Sequence, residues 1–277
     1  MTANKARFQR IFSLLISQKW LGSFEKEVHE LFDECDSDDQ VELISDLLHH
    51  FRFLDRGEEQ DALNQIVNGI IDLGFSEGEV QIVATSANDD ADSGQAVLYG
   101  LKPLFVKAGW SNVQLVNQFG KAQRYIPDKY VVCLVDEFVG TGRSIVGRLS
   151  AMRRDFKNNK HFQGARFFVF AYAGMIAAKD ALLDSKLCEK VFFVHSLRKG
   201  ISELLPDPQI KTPLMLALEN KLEPVVSSFP LPSFGDGACE ALYGREGGNC
   251  PNSVFPVFWW PMSSASGRRK TLLVRKM

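Results

Sequence analysis

The sequence predicts an α/β fold: a mostly parallel sheet with flanking helices, an N-terminal helical module before it and an irregular C-terminal hood after it. Three observations predict this. Before Val80, apolar residues recur at three- and four-residue spacing. From Val80 onward, short apolar runs alternate with helix-like stretches. After about Ile201 this rhythm gives way to recurring prolines. The expected boundaries are 1–78 for the helical module, 79–200 for the α/β core and 201–277 for a proline-rich hood or tail packed on that core.

In the first module Phe8, Ile11, Phe12, Leu15 and Ile16 share a helical face, and Val28, Leu31 and Phe32 do so after Gly22. The acidic run DECDSDD supplies an N-cap and favourable charge for the helix QVELISDLLHHFRFL. A further helix places Leu63, Ile66, Val67, Ile70 and Ile71 on one face and stops at Gly74. His49 and His50 are adjacent on a helix and share no face, so they suggest solvent or partial burial rather than a metal.

In the core, VQIVATS, VQLVNQF, YVVCLV, ARFFVFAYA and KVFFVHS read as strands, with helical stretches after the first, third and fourth. Apolar strands alternating with helices bury both faces of a parallel sheet. Such sheets bind ligands beyond the carboxyl ends of their strands. In the tail, Pro206, Pro208, Pro213, Pro224, Pro230 and Pro232 exclude another strand–helix repeat, and an irregular segment is expected.

The bulk composition narrows the function classes. A 277-residue chain with 45% hydrophobic residues and a formal net charge of −2 is globular and lacks a broad basic field for gripping nucleic acid. A local patch or binding through a partner subunit stays open, and the basic end GRRKTLLVRKM is either such a patch or solvated. Met1 begins a polar stretch, and no run of about 18 apolar residues occurs. No membrane partner and a cytoplasmic location are therefore expected. The five cysteines are scattered without a C-x-x-C pair, so neither a zinc site nor a disulfide framework is expected.

The most informative stretch is Val131 to Ile145, VVCLVDEFVGTGRSI. Val139, Gly140, Thr141, Gly142, Arg143 and Ser144 form a glycine-bracketed loop opening a helix, where backbone N–H groups, hydroxyls and Arg143 converge on a phosphate. It is not a Walker loop, and the dinucleotide fingerprint fails because Ile145 stands at the third glycine position. Asp136 and Glu137 repel phosphate, and the chain between places them ~5–8 Å from it. A ribose 5-phosphate satisfies both halves: the acids accept hydrogen bonds from a sugar diol, and the loop holds the phosphate. Magnesium on the sugar hydroxyls and a pyrophosphate would offset the negative charge, with Asp136 and Glu137 as its indirect ligands.

This stretch resembles the signature of type I phosphoribosyltransferases: an apolar strand, two acids, then T-G-x-[ST]. The resemblance implies that Asp136 and Glu137 contact the ribose hydroxyls of 5-phosphoribosyl 1-pyrophosphate (PRPP), and that Gly140 to Ser144 wrap its 5-phosphate. The second acid is Glu where that family usually has Asp. The helical start, the loop TSANDDADSG, the signature and the tail NCPNSVFPVFWWP, in this order, are similar to the phosphoribosyltransferase-like PRTase-CE family of bacterial conflict and antiphage defence systems, some in retron-type operons. That resemblance implies a transferase of the pentosyl class acting as a defence effector, or a catalytically silent phosphoribosyl-binding sensor or scaffold subunit. It also implies a protein partner from a defence operon, including a reverse transcriptase complex carrying nucleic acid.

Three further regions carry alternatives. In TSANDDADSG, Ser86 and Asn88 occupy the place where the resembled enzymes hold pyrophosphate, yet Asp89, Asp90 and Asp92 make the loop acidic; a solvated loop with Ser93 as helix cap is the other reading. Trp259 and Trp260 either stack on an acceptor base or pack as core. Asn249 and Asn252 either read a base edge or hold the turn around Pro251.

Overall fold

The computed structural model describes residues 2–86, 92–155 and 164–276. The helices are α1 (Thr2–Ser17), α2 (Glu25–Asp33), α3 (Asp38–His49), α4 (Arg56–Ile71), α5 (Ser93–Lys107), α6 (Arg143–Asp155), α7 (Ile176–Asp184) and α8 (Pro208–Glu219). The strands used below are β1 (Arg52–Leu54), β2 (Val80–Ala84), β3 (Gln114–Val116), β4 (Val131–Val139), β5 (Arg166–Met175), β6 (Lys190–Leu197) and β7 (Tyr243–Arg245).

Five strands form one parallel sheet in the order β3-β2-β4-β5-β6. This bears out the mixed α/β class. β2 is buried along its whole length, and β5 is buried at all but its first residue, as expected of strands covered on both faces. Long Phe side chains fill the sheet core, among them Phe167, Phe168 and Phe170 on β5 and Phe193 on β6.

The chain divides into two compact units that do not follow the boundaries suggested by composition. One is Arg56–Leu197 and contains the five-stranded sheet. Helix α4, assigned by pattern to the N-terminal module, belongs here. Its buried face of Leu63, Ile66, Val67 and Ile70 lies against β5 and β6. Gly69 lets the helix come close: a Cβ there would stand 3.3 Å from the Phe170 ring. Four apolar side chains on one helix face need a partner, and the sheet provides it.

The second unit joins Met1–Asp55 to Arg198–Met277. Ser37 caps α3 through the Gln40 amide, as the acidic run before it suggested. β1 pairs in parallel with β7, so the N-terminal segment and the tail share structure. Buried Arg269 binds both carboxylate oxygens of Glu34 at 2.6 and 2.5 Å and also the Trp260 and Val257 carbonyls. The tail is less irregular than its prolines suggest. Pro208 starts α8, where a missing N–H costs nothing, and Pro213 is accommodated within the helix.

Candidate functional site

In the order β3-β2-β4-β5-β6 the chain steps from β2 outward to β3 and returns to β4 on the other side. The carboxyl ends of β2 and β4 therefore flank the switch point, where open α/β sheets leave a crevice. Thr85 and Ser86 follow β2, and Asp136 lies in β4 one residue past Val135, the last residue to pair with β2. Helix α5 begins beside them. Gly94 is what lets it do so, because a Cβ there would stand 3.1 Å from Thr85 Oγ1 and 3.2 Å from the Val135 carbonyl.

Asp136 is half-buried at this mouth. Its carboxylate accepts hydrogen bonds from the Thr85 hydroxyl, from Ser93 Oγ at 3.1 Å and from the Glu137 amide at 2.8 Å. Burial nevertheless raises its pKa above the ordinary carboxylate value, and the nearby charge of Asp92 adds to the rise. Asp92 is itself the N-cap of α5, accepting from the Gly94 amide at 2.9 Å.

Glu137 is placed differently from the expectation. It is only 2% exposed, because β4 continues as regular strand through Val139 and successive residues point to opposite faces. Of the two acids, Asp136 is the partly exposed one. Val139 is likewise buried, so it can offer a ligand its backbone but not its side chain.

The loop from Gly140 to Ser144 leads from β4 into α6. Gly142 sits at φ +71°, and a Cβ there would stand 3.3 Å from Leu182 Cγ. Thr141 Oγ1 accepts from the Arg143 amide at 3.3 Å, and the Gly142 carbonyl accepts from the Val146 amide at 3.0 Å. Gly140 and Thr141 are half-buried; Arg143 and Ser144 are exposed. The opening amides of α6 and the hydroxyls of Thr141 and Ser144 thus form a positively polarised cradle at the end of the strand carrying Asp136.

The other candidates go elsewhere or reveal more. Ser86 is fully buried, and its hydroxyl has no hydrogen-bond partner among the described residues. Asn88 lies outside the described residues. Trp259 and Trp260 are buried in the core of the other unit, edge to face with each other at 5.4 Å, with Trp259 Nε1 donating to the Val254 carbonyl. Packed this way, they present no free ring face on which a base can stack. Asn249 Oδ1 accepts from the Lys276 amide, and the backbone carbonyl of Asn252 accepts from the Asp236 amide, both long-range ties within the same unit. Among the described residues no group of three or more His, Cys, Asp or Glu side chains is placed to hold a metal ion.

Sequence reasoning passed over Thr85 and Arg148 and treated Ser93 only as a cap. Arg148 stands four residues after Ser144, one helical turn along α6, and its guanidinium reaches the Thr85 carbonyl. That spacing from the loop was the available signal. The PRTase-CE family model matches residues 17–275 of the chain. No curated protein matches it.

Proposed function

The chain belongs to the PRTase-CE family, and on that premise we propose that it binds PRPP or a related ribose 5-phosphate ligand at the β2–β4 switch point. One observation carries this reading: a half-buried carboxylate, Asp136, and a glycine loop opening a helix lie at the same end of the same strand. The loop from Gly140 to Ser144 receives the 5-phosphate through amides and hydroxyls. Asp136 accepts hydrogen bonds from the sugar diol, exchanging the Thr85 and Ser93 hydroxyls for those of the ligand. Glu137 adds negative charge from within the strand rather than a direct contact.

Magnesium, where present, would neutralise the charge of a bound pyrophosphate. Asp136, the partly exposed acid, would hold such a metal indirectly, through the ligand's oxygens. Catalysis in such a site is positioning and charge compensation without a covalent nucleophile. The reaction supported is pentosyl transfer to an acceptor, in the setting of a bacterial defence effector acting with a partner from its own operon, retron-type systems included.

A second reading, a phosphoribosyl-binding sensor without transfer, is favoured by the burial of Glu137, which leaves one acid where the resembled enzymes use two. Incubating the native protein with PRPP, magnesium and a pool of nucleobases and nucleotides separates them. Pyrophosphate release that disappears in Asp136→Asn supports the transferase. Ligand binding with no release supports the sensor, and absence of both rejects the site. For the defence role, cells carrying the operon are challenged with phage; protection that survives Asp136→Asn and Thr141→Ala contradicts an effector acting through this pocket.

A further inference from the structure

Helix α6 carries four arginines, Arg143, Arg148, Arg153 and Arg154, against one acid, Asp155, in a chain whose formal net charge is −2. At 3.6 residues per turn, Arg143, Gly147, Ser150 and Arg154 fall on one line along the helix, and all four are exposed. Arg153, also exposed, flanks the far end of this line. It donates only to the Leu187 carbonyl, at 3.5 Å, which leaves its charge unneutralised. Among the described residues no carboxylate pairs with Arg143, Arg153 or Arg154. Cations in a last helical turn answer the helix dipole. An acid one turn earlier would pair with them on a merely solvated face, yet Leu149, Ser150 and Ala151 stand there.

Between its terminal arginines the line is low. Gly147 has no side chain, and a Cβ there would meet nothing within 4 Å; Ser150 adds a hydroxyl donor. The apolar Ile145, Leu149 and Met152 are buried instead. A partner helix or a membrane surface needs apolar anchors, and this line offers none. A row of phosphates needs charge, donors and close approach. The basic tail GRRKTLLVRKM, the other local concentration of cations, spends much of its charge inside the fold. Arg269 binds Glu34, Lys270 pairs with Glu30 at 3.1 Å, and Arg275 donates to the Cys250 carbonyl at 2.5 Å.

We propose that the outer face of α6 docks the phosphate backbone of a nucleic acid through Arg143, Arg153 and Arg154, without reading its bases. Arginine suits the task because its planar fork binds phosphate oxygens in pairs. About 16 Å of helix separates Arg143 from Arg154, and a duplex carries a charge about every 1.7 Å of its axis, so phosphates meet both ends of the line. α6 contains no aromatic residue to stack a base, so duplex and single strand share the same binding chemistry. The docking face does not depend on the ribose reading, since Arg153 and Arg154 lie about three turns from the 140–144 loop.

Fluorescence anisotropy of a labelled DNA duplex of about 20 base pairs, and of one of its strands, tests this with the full-length protein at about 50 to 200 mM salt. Three phosphate contacts predict that duplex affinity falls about 40-fold across that range. Arg153→Gln combined with Arg154→Gln leaves one contact. The fall should then shrink to about four-fold, and duplexes of any sequence should weaken alike. Lysine at both positions should restore the salt dependence, since it also meets phosphate as a charge. Ser150→Glu places an acid within the line and should weaken binding too; it serves as the test should the glutamine pair not fold. Ribose 5-phosphate binding should change less than about two-fold in the glutamine pair. Arg268→Gln with Lys276→Gln should leave duplex binding unchanged. No binding at about 50 mM salt, an unaltered salt dependence in the α6 variants, or a loss traced to the tail overturns the assignment. So does equal affinity for polyglutamate or for anionic lipid vesicles. Duplex binding through α6 by a protein that never binds ribose 5-phosphate would sink the sugar reading and leave this face standing.

Discussion

The two edges of the parallel sheet are built on opposite terms. At the amino edge, the charges with described partners are closely satisfied. Glu79 accepts from the Ser76 amide and hydroxyl and from the Tyr130 hydroxyl, and these bonds pull its pKa down to about 2. Arg166 binds Glu189 through two hydrogen bonds, at 2.8 and 2.5 Å, and lies over the rings of Phe75 and Phe168. At the carboxyl edge, Asp136 has its pKa raised by burial, and among the described residues Arg148 meets only a carbonyl and the Ser86 hydroxyl has no partner. One edge secures the fold. The other holds polar groups in arrangements less favourable than water or a ligand would give them, a common mark of a binding site.

The contrast can be broken most severely at Gly142. Replacing it with valine forces a β-branched residue into φ +71° and drives its side chain toward Leu182. Ribose 5-phosphate binding should be abolished, with stability lowered by about 1–3 kcal/mol in urea denaturation. Retained binding would mean that the loop does not hold the phosphate.

Asp136→Asn sharpens the contrast, because binding and stability should move in opposite directions. Binding of ribose 5-phosphate should weaken about ten-fold, as expected for losing a charged acceptor. The thermal midpoint at pH 7 should rise. A carboxyl whose pKa is raised in the fold is ionised at a cost, so it stabilises least above its folded pKa and imposes no penalty below its ordinary value of 3.8. The advantage of the Asn variant should therefore vanish as pH falls below that value. A lower midpoint at pH 7 would show that the carboxylate is structural.

The smallest effect is expected at the opposite edge. Glu79 has a depressed pKa, so its contribution is fully present above its ordinary 4.5 and is lost as pH falls toward about 2. Glu79→Gln should lower the midpoint modestly at pH 7, match the native protein near pH 2, and leave ligand titrations unchanged. An effect on binding would erase the distinction between the edges.

How far the sequence reveals this arrangement depends on whether the signal is local. The five sheet strands and the loop at Gly140–Ser144 are legible because apolar runs and glycine spacing act within a few residues. The membership of α4 is not, since its apolar face states a need for a partner without saying which. Trp259 and Trp260 show the same ambiguity: an aromatic cluster reads alike whether it stacks on a ligand or fills a core, and here it fills a core. The burial of Glu137 was not legible either, for a plainer reason. The apolar run alone does not show that the strand continues past both acids, so that its alternation leaves Asp136 partly exposed and buries Glu137. Thr85 and Ser93 meet at Asp136 only through the folding of separate segments, a proximity that no spacing along the chain encodes.

A crystal of the native protein soaked with ribose 5-phosphate tests the central claim most directly. The account predicts phosphate density against the amides of Gly140 to Ser144 and a sugar diol within hydrogen-bond distance of Asp136. Density for the phosphate anywhere else, or a loop seen with the sugar turned away from Asp136, would contradict it.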